Sequence, residues 1–221
     1  MKKLFVLCLF CVNSLCSQEN IRKDTTYAYL TETIVHTNIL KAKKVESENK
    51  FYINSRSNDL VKGGKSRIIL PIQIPKNTVR WYYEFTASRN ESEVSNTINT
   101  FNLLSELSDY AEKEGLDTAV SKLTPPPGAH ICDIYLVDKT NALLFRNKKE
   151  FNFDLDGSRE NFKSGIVPVL TSKERTVYLA IKNPNNIYGI HVGIQVVALV
   201  QVTKSAKKAY RIPVITSSLK K

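Results

Sequence analysis

The stretch VRWYYEF, residues 79–85, carries the clearest structural signal in this sequence of 221 residues. Its residues alternate in character, as they do in a β-strand whose successive side chains point to opposite faces. We expect one face to enter a core, and this face holds Val79, Trp81, Tyr83 and Phe85. The opposite face holds Arg80, Tyr82 and Glu84. Tyr82 is therefore the aromatic residue that we expect to be exposed. Large aromatic side chains such as that of Trp81 dominate protein cores.

Further strand signals lie on both sides of this stretch, and turn residues separate them. One of them, residues 67–74, contains Pro71, which favours an edge strand or a bulge. The others are at 51–53, 130–137, 141–145, 150–155, 166–170, 176–181, 191–202 and 210–215, with a loop predicted for 156–165. Because few helices alternate with these strands, the sequence predicts a mainly β protein, an antiparallel β-sandwich of jelly-roll-like form.

One segment departs from the strand pattern. Between residues 92 and 114, apolar residues recur every three or four positions, which predicts an amphipathic helix capped by Ser92. A second short helix is expected to begin at Asp117 and to end before the three prolines at 125–127. Residues 92–127 are therefore predicted to be a helical insertion whose apolar stripe covers the sheet.

The chain begins in the manner of an exported protein. Two lysines precede an uncharged run, residues 4–12, and Ser17 stands before a polar segment, so residues 1–17 are predicted to be a signal peptide. A lipid anchor on Cys16 is the alternative, although Leu15 stands where lipoprotein signals carry a small residue. The run is shorter than the roughly 20 residues that span a bilayer, and no later segment is apolar enough to do so.

Loss of this leader would leave Cys132 as the single cysteine, so no internal disulfide is expected. We expect residues 18–50 to form an N-terminal strand followed by a polar connection at 41–50, and residues 51–221 to form the sandwich. A chain of about 200 residues hides roughly 70% of its unfolded surface. An ordinary core can therefore hold the fold together.

The net charge of +11, or +9 without Lys2 and Lys3, favours acidic partners. The basic residues are spread along the chain and are not interleaved with aromatic residues, unlike those of a nucleic-acid platform. For a periplasmic, extracellular or envelope-attached protein, the expected partners are an envelope glycan, an anionic lipid or another envelope protein. Nucleic acid is not expected.

Three segments occur in an order that resembles the GOLD-type β-sandwich. They are a Trp-x-x-x-Phe pattern at residues 81–85, a strand that carries Asp133 and Ile134, and a Tyr-x-x-x-x-Asn pattern at residues 178–183 that leads into a long valine-rich strand. The predicted helical insertion departs from the close spacing of the first two segments in that family. The resemblance implies a non-catalytic interaction domain of the secretory pathway or of lipid binding, and it transfers no functional residue.

Catalytic and metal-binding patterns are sparse. His130 and Cys132 are predicted to share one face of a strand, a spacing that rarely places a base against a nucleophile, so a half-buried histidine beside a buried thiol is preferred. Asp154 and Asp156 are candidate calcium ligands, but Gly165 stands where an EF-hand loop has its glutamate, and an acidic turn is preferred. No cofactor is expected.

Exposed aromatic rings can stack on sugars, with polar groups around them as hydrogen-bonding partners. The candidate ligand-binding residues are Arg80, Tyr82, Glu84 and Tyr188. The expected function is a non-catalytic binding or structural module of the bacterial cell envelope. The alternative is a hydrolase or lyase acting on an envelope polysaccharide, with carboxylates roughly 5 to 10 Å apart across a cleft. The pairs considered are Asp154 with Asp156, and Glu84 with Asp133.

Overall fold

The computed structural model describes residues 21–61, 64–111, 123–170 and 175–219. The predicted signal peptide, Cys16 and the start of the second predicted helix at Asp117 lie outside these ranges. The described strands are β1 (Ile21–Ile53), β2 (Arg67–Gln73), β3 (Thr78–Ser88), β4 (Cys132–Val137), β5 (Asp154–Phe162), β6 (Ser164–Leu170), β7 (Thr176–Lys182) and β8 (Ile190–Leu219). The described helices are α1 (Arg56–Val61), α2 (Glu91–Asn99), α3 (Leu103–Ala111) and α4 (Lys139–Arg146).

The chain divides into two compact units. The larger unit, residues 37–204, contains the sandwich and every site discussed below. The described part of the smaller unit is a two-stranded ribbon made of residues 21–36 of β1 and 205–219 of β8. Within that ribbon the Thr26 hydroxyl donates a hydrogen bond to the Val214 carbonyl at 3.3 Å.

Two four-stranded sheets make up the sandwich. The front sheet has the strand order β1-β8-β3-β6, and the back sheet has the order β2-β7-β4-β5. This is the strand order of an eight-stranded jelly roll: each strand changes sheet from the one before it, except β5, which stays beside β4 in the back sheet. The pairings of β2, β3, β4, β5, β6 and β7 are antiparallel. The structure therefore confirms an antiparallel, jelly-roll-like β-sandwich. Among the described residues, no helix is long and apolar enough to span a bilayer.

The main core lies between the two sheets and receives one face of β3. Trp81, Tyr83 and Phe85 are at most 1% exposed within it, as the alternating pattern predicted. Val79 was expected on the same face, but its side chain is 50% exposed. A register shift between Thr78 and Arg80 in the pairing with β8 interrupts the alternation just there.

A second apolar layer covers the outer face of the front sheet. Tyr82, Val197 and Leu199 of the sheet are buried against Leu103 and Leu107 of α3. The expectation that Tyr82 is exposed is therefore wrong, because the helices between β3 and β4 cover the face to which it belongs. The face of β3 that points away from the main core is thus buried as well.

Residues 92–99 and 103–111 of the predicted insertion are helical, whereas its described residues 123–127 are not. Residues 100–102 separate α2 from α3, so the single helix expected from 92 to 114 is two shorter ones. The cap of α2 is Asn90, whose side-chain oxygen accepts a hydrogen bond from the Ser92 amide at 3.0 Å. α2 lies close to the front sheet at Gly193, where a Cβ atom would come within 2.6 Å of the Ile98 side chain.

A third apolar layer lies on the outer face of the back sheet, and it corrects one predicted strand. Residues 141–145 belong to α4, which begins after Asp138, whose carboxylate accepts a hydrogen bond from the Asn141 amide at 2.7 Å. Ala142 and Phe145 are buried against the back-sheet residues Tyr135, Val137 and Ala180. An apolar run this short fits either a strand or one face of a helix, and here the capping aspartate favours the helix.

Other boundaries also differ from the predictions. Residues 41–50 lie within β1 rather than in a polar connection, and residues 156–165 lie mostly in β5 and β6 rather than in a loop. Two prolines of the predicted strands, Pro71 and Pro168, lie in β2 and β6, which are edge strands. An edge position leaves the missing amide donor of proline without consequence for the sheet.

Candidate anion-binding site

A row of charged residues crosses one end of the back sheet. Lys182 at the end of β7 lies opposite Arg67 in the register with β2, and opposite Asp133 in the register with β4. All three are on the outer face, because their alternate neighbours Ile134 and Ile181 enter the main core. The Lys182 ammonium lies 3.2 Å from the Asp133 carboxylate, which is almost fully buried.

Arg67 is held against the end of α4. Its guanidinium donates a hydrogen bond to the Phe145 carbonyl at 2.6 Å and lies 4.8 Å from the centre of the Phe145 ring. The negative end of the helix dipole favours a cation at this place. Burial is the main cause that lowers the pKa of Arg67, and the positive charge of Arg56 lowers it further. An arginine remains charged under such a shift, so the site keeps its positive charge.

Lys148 occupies a position that favours glycine. The Lys149 amide donates to the Leu144 carbonyl at 3.0 Å and the Lys148 amide to the Phe145 carbonyl at 3.1 Å, which closes α4 with a Schellman motif. Lys148 has the left-handed conformation of that motif, with φ of 57°. A side chain in this conformation costs about 1 kcal/mol relative to glycine. Strain of this kind is common where a side chain serves a function other than folding.

Arg56 is positioned by the asparagine-rich turn before β8. The backbone amide of Arg56 donates to the Asn185 carbonyl at 3.4 Å, and that of Ser57 to the Asn186 carbonyl at 3.2 Å. The turn is itself braced by Asn183, whose side-chain amide donates to the Tyr188 carbonyl at 2.7 Å. The first turn of α1 is thereby fixed beside the end of β7.

Two adjoining cavities lie among these elements, with volumes of about 770 Å³ and about 250 Å³. Both are lined by Ser66, Arg67 and Lys148. None of the described residues that line either cavity is acidic. Six are basic, and we call them the basic site: Arg56, Lys65, Arg67, Arg146, Lys148 and Lys182. A cleft lined by charges of one sign concentrates the electrostatic potential and attracts ions of the opposite sign.

The chain matches no protein-family model, no curated protein and no solved structure. The GOLD-type resemblance therefore stays a prediction.

The four predicted ligand-binding residues do not form one site. Tyr82 and Glu84 are buried beneath α3. Tyr188 is half exposed and lies under the Arg89 guanidinium, 3.8 Å from the centre of its ring. Arg89 directly follows β3, whereas Arg80 is near the beginning of that strand. At about 3.4 Å per residue, Arg80 is roughly 30 Å along the strand from Arg89.

The positions of the carboxylate pairs considered for polysaccharide cleavage do not support that function either. Glu84 is on the outer face of the front sheet and Asp133 on the outer face of the back sheet, so both sheets, about 10 Å apart, lie between them. Asp154 and Asp156 are exposed on β5, and the Asp154 carboxylate accepts a hydrogen bond from the Gly157 amide at 2.7 Å. Among the described residues, no three His, Cys, Asp or Glu side chains are grouped to hold a metal ion.

His130 lies just before β4, in which Cys132 is the first residue. Cys132 is fully buried in the main core, and burial raises the pKa of its thiol, which opposes formation of a thiolate. His130 precedes β4, and its Nδ1 atom accepts a hydrogen bond from the Arg89 amide at 3.2 Å. A buried thiol with a raised pKa is a poor nucleophile, as the preferred interpretation of this pair predicted.

Sequence reasoning missed the basic site. The members come from α1, from the start of β2, from the end of α4 and from the end of β7, and they span residues 56 to 182. Two local signals were present, the Lys65-Ser66-Arg67 and Arg146-Asn147-Lys148 triplets. Neither triplet could be joined to the other without the tertiary fold.

Proposed function

We propose that this protein is a non-catalytic binding module of the bacterial cell envelope and that it holds an anionic ligand in the basic site. The observation that carries the proposal is the convergence of six basic residues on two adjoining cavities that no described acidic residue lines. The Asp133 carboxylate offsets the charge of Lys182. A bound anion relieves the repulsion among the like charges that remain. Arginine also supplies a planar pair of donors that fits phosphate or carboxylate groups.

Two further features support binding rather than a merely solvated surface. The Arg56 backbone is fixed by the asparagine-rich turn, and the Arg67 guanidinium is fixed by the Phe145 carbonyl and ring. A preorganised site loses less conformational entropy when the ligand arrives. Lys148 keeps a side chain where glycine would be more stable, as expected if that side chain contributes to binding.

The direct test is calorimetric titration of the protein with inorganic pyrophosphate, a compact anion with several charges. Arg56→Gln is expected to weaken binding by about tenfold or more, because a hydrogen bond to a charged group contributes roughly 1.5 to 3 kcal/mol. Arg80→Gln is the matched control, since it removes the same charge from the front sheet. Equal affinities for the two variants would show that net charge alone attracts the anion, and the proposed site would be wrong.

Lys148→Gly gives a second test with two readouts of opposite sign. The left-handed conformation suits glycine, so the melting temperature should rise, with a gain in unfolding free energy of about 1 kcal/mol. The affinity for pyrophosphate should fall in the same variant, because one cation is lost from both cavities. A variant that is more stable and binds pyrophosphate as tightly as the wild type would remove Lys148 from the site.

A further inference from the structure

The two cavities of the basic site differ in the kind of surface they offer. The larger one has an apolar part formed by Phe51, Ile68 and Ile69. Pro184 is the one apolar residue among the described residues that line the smaller cavity. The others are the shared Ser66, Arg67 and Lys148 together with Arg56, Lys182 and two asparagines. A compartment that combines an apolar part with basic residues therefore adjoins one that is polar and positively charged.

The position of the larger cavity explains its apolar part. β1 is the edge strand of the front sheet, and β2 is the edge strand of the back sheet. Phe51 of β1 and Ile68 of β2 pack partly against the main core, and Ile69 packs partly against the apolar layer beneath α4. The core of the sandwich thus reaches the surface at this edge. Apolar side chains exposed in a cavity favour an apolar occupant, which removes their surface from water.

We propose that the site takes an anionic amphiphile, with its phosphate-type headgroup in the smaller cavity and its alkyl chain in the larger one. This inference rests on the proposed function and adds the chemical class of the ligand. A volume of about 770 Å³ for the chain compartment is within the usual range of about 300 to 1,000 Å³ for small-molecule sites. Lys65 and Arg146 line only this compartment, and their long aliphatic stems can pack along a chain while their charges remain in water.

Charge complementarity selects an anionic rather than a neutral or zwitterionic amphiphile. The headgroup would meet Arg56, Arg67, Lys148 and Lys182, of which Lys182 already has a carboxylate partner in Asp133. A headgroup that carries its own cation would place that cation among these residues. The same chemistry could be supplied by a free phosphate ion or by a lipid headgroup, and only the chain distinguishes the two sources.

The test compares inorganic phosphate with butyl, octyl and dodecyl phosphate, each titrated as a monomer below its micelle-forming concentration. Affinity is expected to rise with chain length by up to about fourfold for each methylene that becomes buried. Dodecylphosphocholine, with an equally long chain and a zwitterionic headgroup, is expected to bind at least about tenfold more weakly than dodecyl phosphate. Equal affinity for inorganic phosphate and all three alkyl phosphates would overturn the proposal that the ligand is an amphiphile. The proposal that the basic site binds an anion would still hold.

Two variants separate the compartments. Ile68→Thr keeps a β-branched residue in β2. It should reduce the gain in affinity with chain length by a larger factor than it changes the affinity for pyrophosphate. Arg56→Gln should weaken pyrophosphate and every alkyl phosphate by a similar factor. Chain-length dependence that survives Ile68→Thr in full would place the alkyl chain elsewhere, and the wild-type series decides the question even if this variant does not fold. Absence of binding by pyrophosphate and by every alkyl phosphate would overturn the proposed function itself.

Discussion

Replacing Glu84 with glutamine is expected to stabilise this protein at neutral and alkaline pH. The Glu84 side chain is 2% exposed on the outer face of β3, and its carboxylate accepts a hydrogen bond from the Leu103 amide at the start of α3. Its Oε2 atom accepts no hydrogen bond from any described residue, and the same is true of Oε2 of Glu106 in α3. The neighbours across the sheet are uncharged, Gln195 on β8 and Ile166 on β6.

The magnitude follows from the pKa of this carboxyl group. Burial raises the pKa of Glu84 from 4.5 to about 7; the negative charge of Glu106 also raises it, while the hydrogen bond from Leu103 lowers it. The folded state therefore keeps the proton to a higher pH than the unfolded state does. Stability falls as the pH rises from about 4.5 to about 7, and the penalty is constant above that range. A difference of this size corresponds to at most about 3 kcal/mol, at 1.36 kcal/mol per pKa unit.

Glutamine has nearly the same shape, does not titrate, and retains an oxygen that can accept the Leu103 hydrogen bond. Urea denaturation of wild type and Glu84→Gln at pH 5 and pH 8 measures the effect. We expect the variant to be about 2 to 3 kcal/mol more stable at pH 8 and much closer to the wild type at pH 5. Glu91→Gln is the control, because Glu91 is exposed and bonded to Lys50, which lowers the pKa of Glu91. An advantage of Glu84→Gln that is equal at both pH values, or missing at pH 8, would refute the reasoning.

Three further substitutions test the packing of the sandwich by denaturant unfolding. Trp81→Ala should cost about 3 to 5 kcal/mol, because it empties a fully buried position of the main core. Tyr82→Ala should cost about 3 kcal/mol as well, since α3 covers this side chain; a cost below about 1 kcal/mol would show that α3 does not pack there. Gly193→Ala should cost about 1 to 3 kcal/mol and loosen α2, because the new methyl group overlaps the Ile98 side chain; faster proteolysis within α2 checks this, and unchanged stability would contradict the close approach.

The sequence carried enough information to predict the main core. Alternation of side chains is a local property of a strand, so Trp81, Tyr83 and Phe85 were assigned to one buried face without knowledge of any partner strand. Pro71 marked an edge strand for an equally local reason, the missing amide donor. The jelly-roll-like sandwich followed from these patterns.

Local patterns were insufficient where two structures compete for the same residues. The apolar run at 141–145 fits a strand, and only the Asp138 cap and the apolar layer beneath it show why it is a helix. The face of β3 that holds Tyr82 and Glu84 alternates in the same way whether water or a helix covers it. Its burial depends on where α3 packs, and no feature of β3 itself contains that information.

The basic site shows the same division between local pattern and tertiary structure. By itself the sequence determined a net charge of +11 and the basic triplets around Lys65 and Lys148, and hence a preference for acidic partners. Only the tertiary structure placed Arg67 opposite Lys182 across two strands more than a hundred residues apart, and brought Arg56 and the end of α4 to the same place. Charge is additive along a chain and can be read from its composition. A cavity requires surfaces from distant segments, and their meeting is decided by strand pairing and packing of the whole fold.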